Sequence, residues 1–424
     1  MGKSLSRKLM RRNIAKGVEA ALKDTRVVLV AGARQVGKST LLSQILTLND
    51  RRGDKARILT LDNATVLAAA KEDPISFVKQ HPSGTLAIDE VQRCPELFLA
   101  IKEVVDSVGR PGQFLLTGSA NVFALPLVAD SLAGRIEVID LYPLSQGERR
   151  GFVDNLVDAL FEGQPPIVSS SIQKDDYMEM AVIGGYPEVQ FRSRPERRRA
   201  WFTNYLRTLV QRDLRELADL QRLDDIEKIL RALAAYTSNL INEMAMSREI
   251  GIPNTTLQRY LAHIENIFLF KRLPAWSSNR LTRVVSAPKV HIVDSGIGGH
   301  LIGQSTRALV ASTGYGGHIL ESFVVMEIIK QVTWSARKPT PYHFRTHDNV
   351  EVDLVLETAD GDIVGIEIKS SGTVGGGDFK GLRTLASKAG ERFRAGVVLY
   401  TGGVTVPFGV RMWAAPISAL WSVT

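Results

Sequence analysis

The stretch Gly32-Ala33-Arg34-Gln35-Val36-Gly37-Lys38-Ser39 narrows the possible folds more than any other part of this 424-residue chain. It fits the pattern G-x-x-x-x-G-K-[ST] and runs on into Thr40. An apolar run, Val27 to Ala31, precedes it, and a helical pattern, Thr40 to Leu46, follows. Glycines at these places let a backbone wrap phosphate oxygens, with loop N–H groups and the helix start pointing at them. Lys38 is expected to reach the β- and γ-phosphates, and Ser39 to ligate Mg²⁺. Strand before and helix after are the contexts the motif needs, so Gly32 to Thr40 is expected to be a phosphate loop.

The surrounding pattern agrees. Short runs rich in Val, Ile and Leu recur at Val27 to Ala31, Ile58 to Leu61, Leu86 to Ile88, Phe114 to Thr117 and Ile136 to Leu141. Near-continuous apolar strands separated by helical segments predict a parallel sheet covered on both faces, an α/β fold. Leu86-Ala-Ile-Asp89-Glu90 ends one such strand in two carboxylates. Asp89 is placed to hold Mg²⁺ through water, and Glu90 to polarise an attacking water. The alternative is an acidic pair opening a surface loop. A Glu after the Asp points to an AAA-like ATPase rather than a kinase or GTPase, and no Asn-Lys-x-Asp guanine motif is apparent, so ATP is expected over GTP. Thr117 and Ser119, in Phe114-Leu-Leu-Thr-Gly-Ser119, compete for a γ-phosphate sensor role; a plain strand-ending turn is the rival. Arg135, in Leu132-Ala-Gly-Arg135, is a candidate arginine finger, in cis or in trans, against a surface salt bridge.

The remaining chain divides by pattern. Ser4 to Leu22 reads as a basic helix, with Leu5, Leu9, Val18 and Leu22 on one face. Phe152 to Ser171, with Pro165-Pro166 and a serine run, reads as a loop. Helical patterns from Asp175 to Leu220 are broken by Gly184-Gly185-Tyr186-Pro187. Ser247 is expected to cap a helix, Ile250 to Pro253 to break it, and Thr255 to Ile267 to form a second helix, which is helix-turn-helix spacing. Strands are expected at Leu273 to Trp276 and Val290 to Val293. A helix (Leu320 to Gln331) then precedes strands at Tyr342 to Arg345, Val350 to Leu356, Ile363 to Lys369 and Gly396 to Tyr400. The resulting divisions are 1–25 (basic helix), 26–150 (ATPase domain), 151–225 (helical lid or linker), 226–300 (winged-helix-like) and 301–424 (C-terminal α/β).

Net charge is +8, which favours a polyanionic partner. Arg192, Arg194, Arg197, Arg198 and Arg199 crowd one stretch, followed by Arg207, Arg212 and Arg215. Arg197, Arg198 and Arg199, together with Arg248, Gln258 and Arg259 of the helix-turn-helix, are the expected nucleic-acid contacts. Protein contacts are the alternative for a winged helix. In Val350 to Leu356, Val350, Val352, Leu354 and Leu356 alternate on one face, with Asp353 on the other; Glu367 and Lys369 share a face two residues apart. Asp353, Glu367 and Lys369 can converge on Mg²⁺ or Mn²⁺, with Lys369 activating water and Glu321 adding a carboxylate. Solvated charges on a strand edge are the alternative. His343, Arg345 and His347 are phosphate-binding candidates or ordinary strand residues.

GARQVGKST, AIDEVQ, LLTGS, LAGR and LYPLS together resemble the AAA-like ATPases of bacteria and archaea that carry a C-terminal domain of unknown function. The resemblance continues through Gly184-Gly185-Tyr186-Pro187, Gln211-Arg212-Asp213, Val293-Asp294-Ser-Gly296, Glu351-Val-Asp353 and Ile366-Glu367-Ile-Lys369, and covers nearly the whole chain. It implies an AAA-like P-loop domain, a winged-helix segment and a C-terminal restriction-endonuclease-like fold of the PD-(D/E)XK kind. It also strengthens Arg135 as a finger.

Two functions follow. One is an ATPase that remodels or translocates DNA, with or without metal-dependent cleavage. The other is an ATP-dependent switch whose C-terminal domain binds a partner or nucleic acid without cutting. An AAA-like domain with a trans finger suggests a ring-like homo-oligomer. The single cysteine, Cys94, and the lack of a run of about 18 apolar residues point to a reducing cytoplasm and no membrane span.

Overall fold

The computed structural model describes residues 9–50, 56–119, 132–214, 223–312 and 314–423. Leu5, Arg7, Lys8 and Arg215 lie outside them, as does the side chain of Arg212. Among the described residues no helix is long and apolar enough to cross a membrane.

The first sheet has five parallel strands: β1 (Val27–Ala31), β2 (Ala56–Thr60), β3 (Thr85–Asp89), β4 (Phe114–Gly118) and β5 (Ile136–Asp140). Their spatial order is β2-β3-β4-β1-β5. β1 is buried throughout. Val28 and Val30 pack into one hydrophobic cluster with Leu41, Leu42 and Ile45 of the helix Lys38–Asp50, whereas Val27 and Leu29 pack into a second with Phe98 and Ile101 of the helix Leu97–Val108. Such burial explains the unbroken apolar runs of the inner strands β1, β3 and β4, whereas the edge strands β2 and β5 are partly exposed, with Ile58 and Val138 open. The order inserts β4 between the strand leading to the phosphate loop and the strand ending in Asp89. The ends of three neighbouring strands therefore open at one edge of the sheet.

The N-terminal helix starts at Ala15, later than the leucine spacing predicts. Leu9 is exposed, and the turn before Ala15 is held by Arg12, whose side chain is buried. The predicted loop 152–171 contains the helix Leu156–Phe161, with Leu156, Val157 and Leu160 buried. The helix Lys174–Ile183 ends at Gly184 (φ +70), where a Cβ would lie 2.3 Å from Asp294 Oδ1.

Helices Glu243–Ile250 and Asn254–Asn266 pack on a three-stranded antiparallel sheet of β6 (Asn239–Leu240), β7 (Phe270–Leu273) and β8 (Lys289–Ile292), in the order β6-β8-β7. Two helices joined by a short break thus lie on a small antiparallel sheet. Asn242, not Ser247, caps the first helix by accepting from the Ala245 N–H, while Ser247 lies inside it and its hydroxyl donates to Ile252 O. β7 ends at Leu273 because Pro274 has no N–H to give the ladder.

The last domain is a mixed sheet of β9 (Thr340–Arg345), β10 (Glu351–Glu357), β11 (Ile363–Lys369), β12 (Phe393–Tyr400), β13 (Val406–Pro407) and β14 (Met412–Pro416), in the order β13-β14-β12-β11-β10-β9. The helix Tyr315–Trp334 covers one face and Lys380–Ala389 the other. The expected single apolar face of β10 is broken. The β9–β10 register shifts between Val352 and Val355, so Val352 packs on the Lys380–Ala389 side while Leu354 and Leu356 pack on the other. Asp353 sits at the irregularity, only 4% exposed, with its carboxylate accepting from the Ile368 N–H of β11.

Candidate functional site

The phosphate loop leaves β1 at Gly32 and enters the helix at Lys38. A Cβ on Gly32 would lie 2.2 Å from Leu141 O, and Gly37 takes φ +98, so both positions require glycine. Gln35 is also left-handed (φ 63). The buried Lys38 ammonium donates to Gly32 O (2.9 Å) and Ala33 O (3.0 Å), which holds its charge at the mouth of the loop.

Across the sheet edge, Ser39 Oγ donates to Asp89 (2.9 Å to Oδ2). The Thr117 hydroxyl donates to Asp89 Oδ1 and accepts the Glu90 N–H at 3.1 Å. Thr117 and Ser119 differ in what they touch. Thr117 bonds the acid, whereas Ser119 Oγ accepts from Gln92 Nε2 at 2.8 Å. Glu90 sits in the left-handed region (φ 59), and its carboxylate accepts from the same Gln92 amide. A hydroxyl and a carboxylate, both hard oxygen donors, meet beside a phosphate-sized cradle; this donor set fits Mg²⁺.

Arg12 and Tyr205, which the sequence reading did not single out, hold the outside of the loop. Arg12 donates from Nη1 to Val36 O (2.9 Å), from Nη2 to Tyr142 O (2.6 Å) and from Nε to Glu148 Oε1 (3.0 Å). Tyr205 Oη donates to Arg34 O (3.0 Å) and pairs with Tyr186 Oη (2.9 Å). Their partners are up to 171 positions away in sequence, so no local pattern marks them.

Arg135 lies at the opposite end of the sheet. It precedes β5, whose first residue pairs with Val27, while the loop follows Ala31. Five residues of strand span roughly 16 Å, so a cis finger is ruled out. Its guanidinium is paired with Asp106.

Residues 24–149 match the model of an AAA domain. The N-terminal unit is an AAA-like P-loop domain. Residues 174–308 and 316–420 match two families described as domains of unknown function (DUF8612 and DUF4143). The chain is 28% identical over 366 residues to an uncharacterized protein of Mycobacterium tuberculosis (86% of this chain, 74% of the relative). It is 24% identical over 356 residues to one of Haemophilus influenzae (80% and 81%). Among solved structures it is similar to the replication initiator DnaA bound to AMPPCP and single-stranded DNA (16% identity, TM-score 0.32, 62% of this chain and 89% of that one). It is also similar to AMPPCP-bound DnaA from Aquifex aeolicus (16%, TM-score 0.27, 59% and 86%).

The C-terminal candidates do converge, but around a fifth residue. Lys289, first in β8, is 6% exposed and donates to Glu321 Oε1 (2.7 Å) and Asp353 Oδ1 (2.9 Å). Lys369 Nζ donates to Glu367 Oε1 at 2.8 Å. Glu367 Oε2 is buried with no hydrogen-bond partner. Burial, then the charge of Asp353, pushes the Glu367 carboxyl up to about 8 and the Glu321 carboxyl well above its ordinary range. For Lys289 burial acts downward, but Asp353 and Glu321 outweigh it and raise the ammonium. A divalent metal does not fit this arrangement, because the ammonium occupies the place between Glu321 and Asp353. Among the described residues no group of three or more His, Cys, Asp or Glu is disposed to hold a metal ion. His343 is buried, meets Ala287 O through Nε2 (3.1 Å) and is lowered to about 4 by burial, so it is a neutral interior histidine rather than a phosphate ligand.

The expected nucleic-acid residues are more open. Thr255, Gln258, Arg259 and Ala262 form one exposed stripe on the helix Asn254–Asn266, opposite buried Leu257, Leu261 and Ile264. Gln258 donates to Glu243 (3.0 Å), and Arg259 lies over the Tyr260 ring. Arg248 is exposed and donates to Met244 O. Arg197 and Arg199 are exposed on the helix Pro195–Thr208, whereas Arg198 is tied to Arg192 O at 2.6 Å.

Proposed function

We propose that this chain hydrolyses ATP and uses the cycle to act on DNA. The observation behind it is the meeting of Lys38, Ser39, Asp89, Thr117 and Glu90 at the ends of three adjacent parallel strands. Lys38 would exchange its two loop carbonyls for β- and γ-phosphate oxygens. Ser39 and Asp89 would hold Mg²⁺, which when bound would neutralise charge on the phosphates. Glu90 would orient and deprotonate the attacking water once its carboxylate leaves Gln92. Arg135, turned away from its own loop, would serve the site of a neighbouring subunit in a ring-like homo-oligomer.

DNA would meet the exposed stripe of Gln258 and Arg259, with Arg248 beside it and Arg197 and Arg199 adding phosphate contacts. Support comes from the open, polar face of the second helix and the chain's net charge of +8. The test is steady-state ATP hydrolysis without DNA and with single-stranded, duplex and branched DNA. Stimulation by one form, lost in Gln258→Ala/Arg259→Ala, is expected. Turnover that no DNA changes would refute the DNA half and leave the ATPase half standing.

A second reading, an ATP-driven switch whose restriction-endonuclease-like C-terminal domain binds without cutting, is favoured by one observation: the ammonium of Lys289 among the carboxylates on which cleavage would depend.

A further inference from the structure

Lys289 belongs to β8, outside the C-terminal sheet, yet its ammonium reaches carboxylates of two elements of that domain: Glu321 on the helix Tyr315–Trp334 and Asp353 on β10. It bridges them as a metal ion would bridge two acids. We propose that Lys289 is a permanent resident cation, and that the Glu321–Asp353–Glu367 cluster is an ion-paired joint between the three-stranded sheet and the C-terminal domain, with no divalent metal bound. This is independent of the ATP reading.

Three features carry the inference. First, four of the six carboxylate oxygens are already engaged. Asp353 gives one to Lys289 and the other to the Ile368 N–H, Glu321 Oε1 faces Lys289, and Glu367 Oε1 faces Lys369. Of the other two, Glu367 Oε2 is buried with no partner, and Glu321 Oε2 belongs to a carboxylate already held by Lys289, so a divalent ion using them would share the cluster with the ammonium. Second, a divalent ion sharing oxygens with a buried ammonium would be repelled in a low-dielectric interior, so metal entry requires Lys289 to leave. Third, withdrawing Lys289 is costly. β8 is the central strand of its sheet, and Lys289 is paired with Leu240 on one side and Leu273 on the other. Pro288, next to it, accepts the Ile241 N–H at 3.0 Å. That anchors the backbone, so the ammonium can leave the acids only by turning its buried side chain away, which strands Asp353 and Glu321 without their cation.

The joint has further contacts beside it. The Trp276 N–H donates to His343 O (2.6 Å), the His343 N–H to Pro274 O (2.9 Å), and Arg283 pairs with Glu357 of β10. Removing the lysine should therefore loosen the joint without detaching the domain.

The test is Mn²⁺ titration, by calorimetry and by electron paramagnetic resonance, of the full chain carrying Ser39→Ala and Asp89→Asn to silence the phosphate loop. With Lys289 present, no Mn²⁺ should bind below millimolar concentration, and Mn²⁺ should leave the Tm unmoved. Lys289→Ala should create one Mn²⁺ site, which Asp353→Asn abolishes. Micromolar Mn²⁺ binding with Lys289 present, removed by Glu321→Gln or Asp353→Asn, would overturn the proposal. If Lys289→Ala does not fold, the titration of the Lys289-containing protein still decides. The triple variant Lys289→Met/Glu321→Gln/Asp353→Asn then checks the joint. It should recover folding that Lys289→Met alone loses; failure to recover would also count against the ion-paired joint.

Discussion

Asp294→Ala should be among the most destabilising single substitutions outside the hydrophobic core. Asp294 follows β8, is 3% exposed, and caps the helix Ser295–Ile302 by accepting the Ile297 N–H at 3.1 Å. Its other oxygen accepts the Gly185 N–H at 2.7 Å. Loss of a helix cap costs about 1 kcal/mol. Leaving the buried Gly185 N–H without an acceptor adds about 1–3 kcal/mol. The backbone there is shaped round the carboxylate, since a Cβ on Gly184 would sit 2.3 Å from Oδ1, so removing the side chain opens a void that Gly184 does not fill. Burial works against this, because it raises the Asp294 carboxyl above its ordinary value; part of the gain from the two bonds is spent on desolvation. With the void adding to the loss and desolvation subtracting from it, about 2–4 kcal/mol remains, which in a cooperative unit of 150–250 residues lowers Tm by roughly 4–16 °C. Asp294→Asn keeps one acceptor oxygen and should lose about half as much. Thermal unfolding followed by circular dichroism reads both. A Tm for Asp294→Ala within about 1 °C of the parent would show that the carboxylate contributes no net stability and that the argument from its two bonds is wrong.

Lys38→Ala should reduce ATP turnover to background, and unchanged turnover in a phosphate-release assay would remove the nucleotide reading altogether. Glu90→Gln should lower kcat by roughly 10²–10⁴-fold with ATP still bound; Gln92→Ala, which frees Glu90, should raise basal kcat with KM unchanged, and a fall in kcat would show that Gln92 positions Glu90 productively. Asp154 is raised from 3.8 to about 7, by burial first, against its Ser145 hydrogen bond, with Glu327 and Glu148 adding to the rise. Between those two values the folded chain holds a proton that the unfolded chain has released, so stability falls as pH rises toward and through about 7; Tm measured from pH 5.5 to 8.5 should show that decline, and Asp154→Asn should flatten it. Arg12→Ala leaves Glu148 buried without its partner and should cost about 3–5 kcal/mol; adding Glu148→Gln should restore part of the lost Tm, and no recovery would mean Arg12 acts mainly through Val36 O and Tyr142 O.

The nucleotide site was legible because its chemistry is local. Gly32 to Ser39 and Asp89-Glu90 each sit in one short stretch whose backbone geometry demands those residue types. The strands that carry them were legible because both faces are buried, which writes apolar runs into the sequence. What sets the site's state was not legible. Arg12 reads as one more basic residue on a basic helix, and Tyr205 as an aromatic among arginines; each gains its role from a backbone carbonyl on a distant loop. The alternation read in β10 failed for a different reason. A one-residue register shift reverses which face a side chain takes, and nothing in Val350 to Leu356 announces it. Lys289 was hidden most deeply: it lies in a strand of one domain and acts among the acids of another.

Lys289 and Asp294 stand at the two ends of β8. At the start of the strand, the ammonium joins the three-stranded sheet to the C-terminal acids; just past its end, the carboxylate joins the same sheet to Gly185. Gly185 leads directly into Tyr186, whose hydroxyl meets Tyr205, which in turn donates to Arg34 O in the phosphate loop. One short central strand is therefore tied by charged groups to the domains on either side of it, and the tie on one side runs through two tyrosines to the nucleotide loop. A chain of contacts is not by itself a coupling. It does fix where a coupling would have to act. If nucleotide binding shifts Arg34 O, Tyr205 is in direct contact to register it, and the exposed arginines Arg197 and Arg199 lie on the same helix, about two turns before Tyr205. Those arginines belong to the surface proposed above for DNA, so one helix, Pro195–Thr208, carries both them and the tyrosine that touches the phosphate loop.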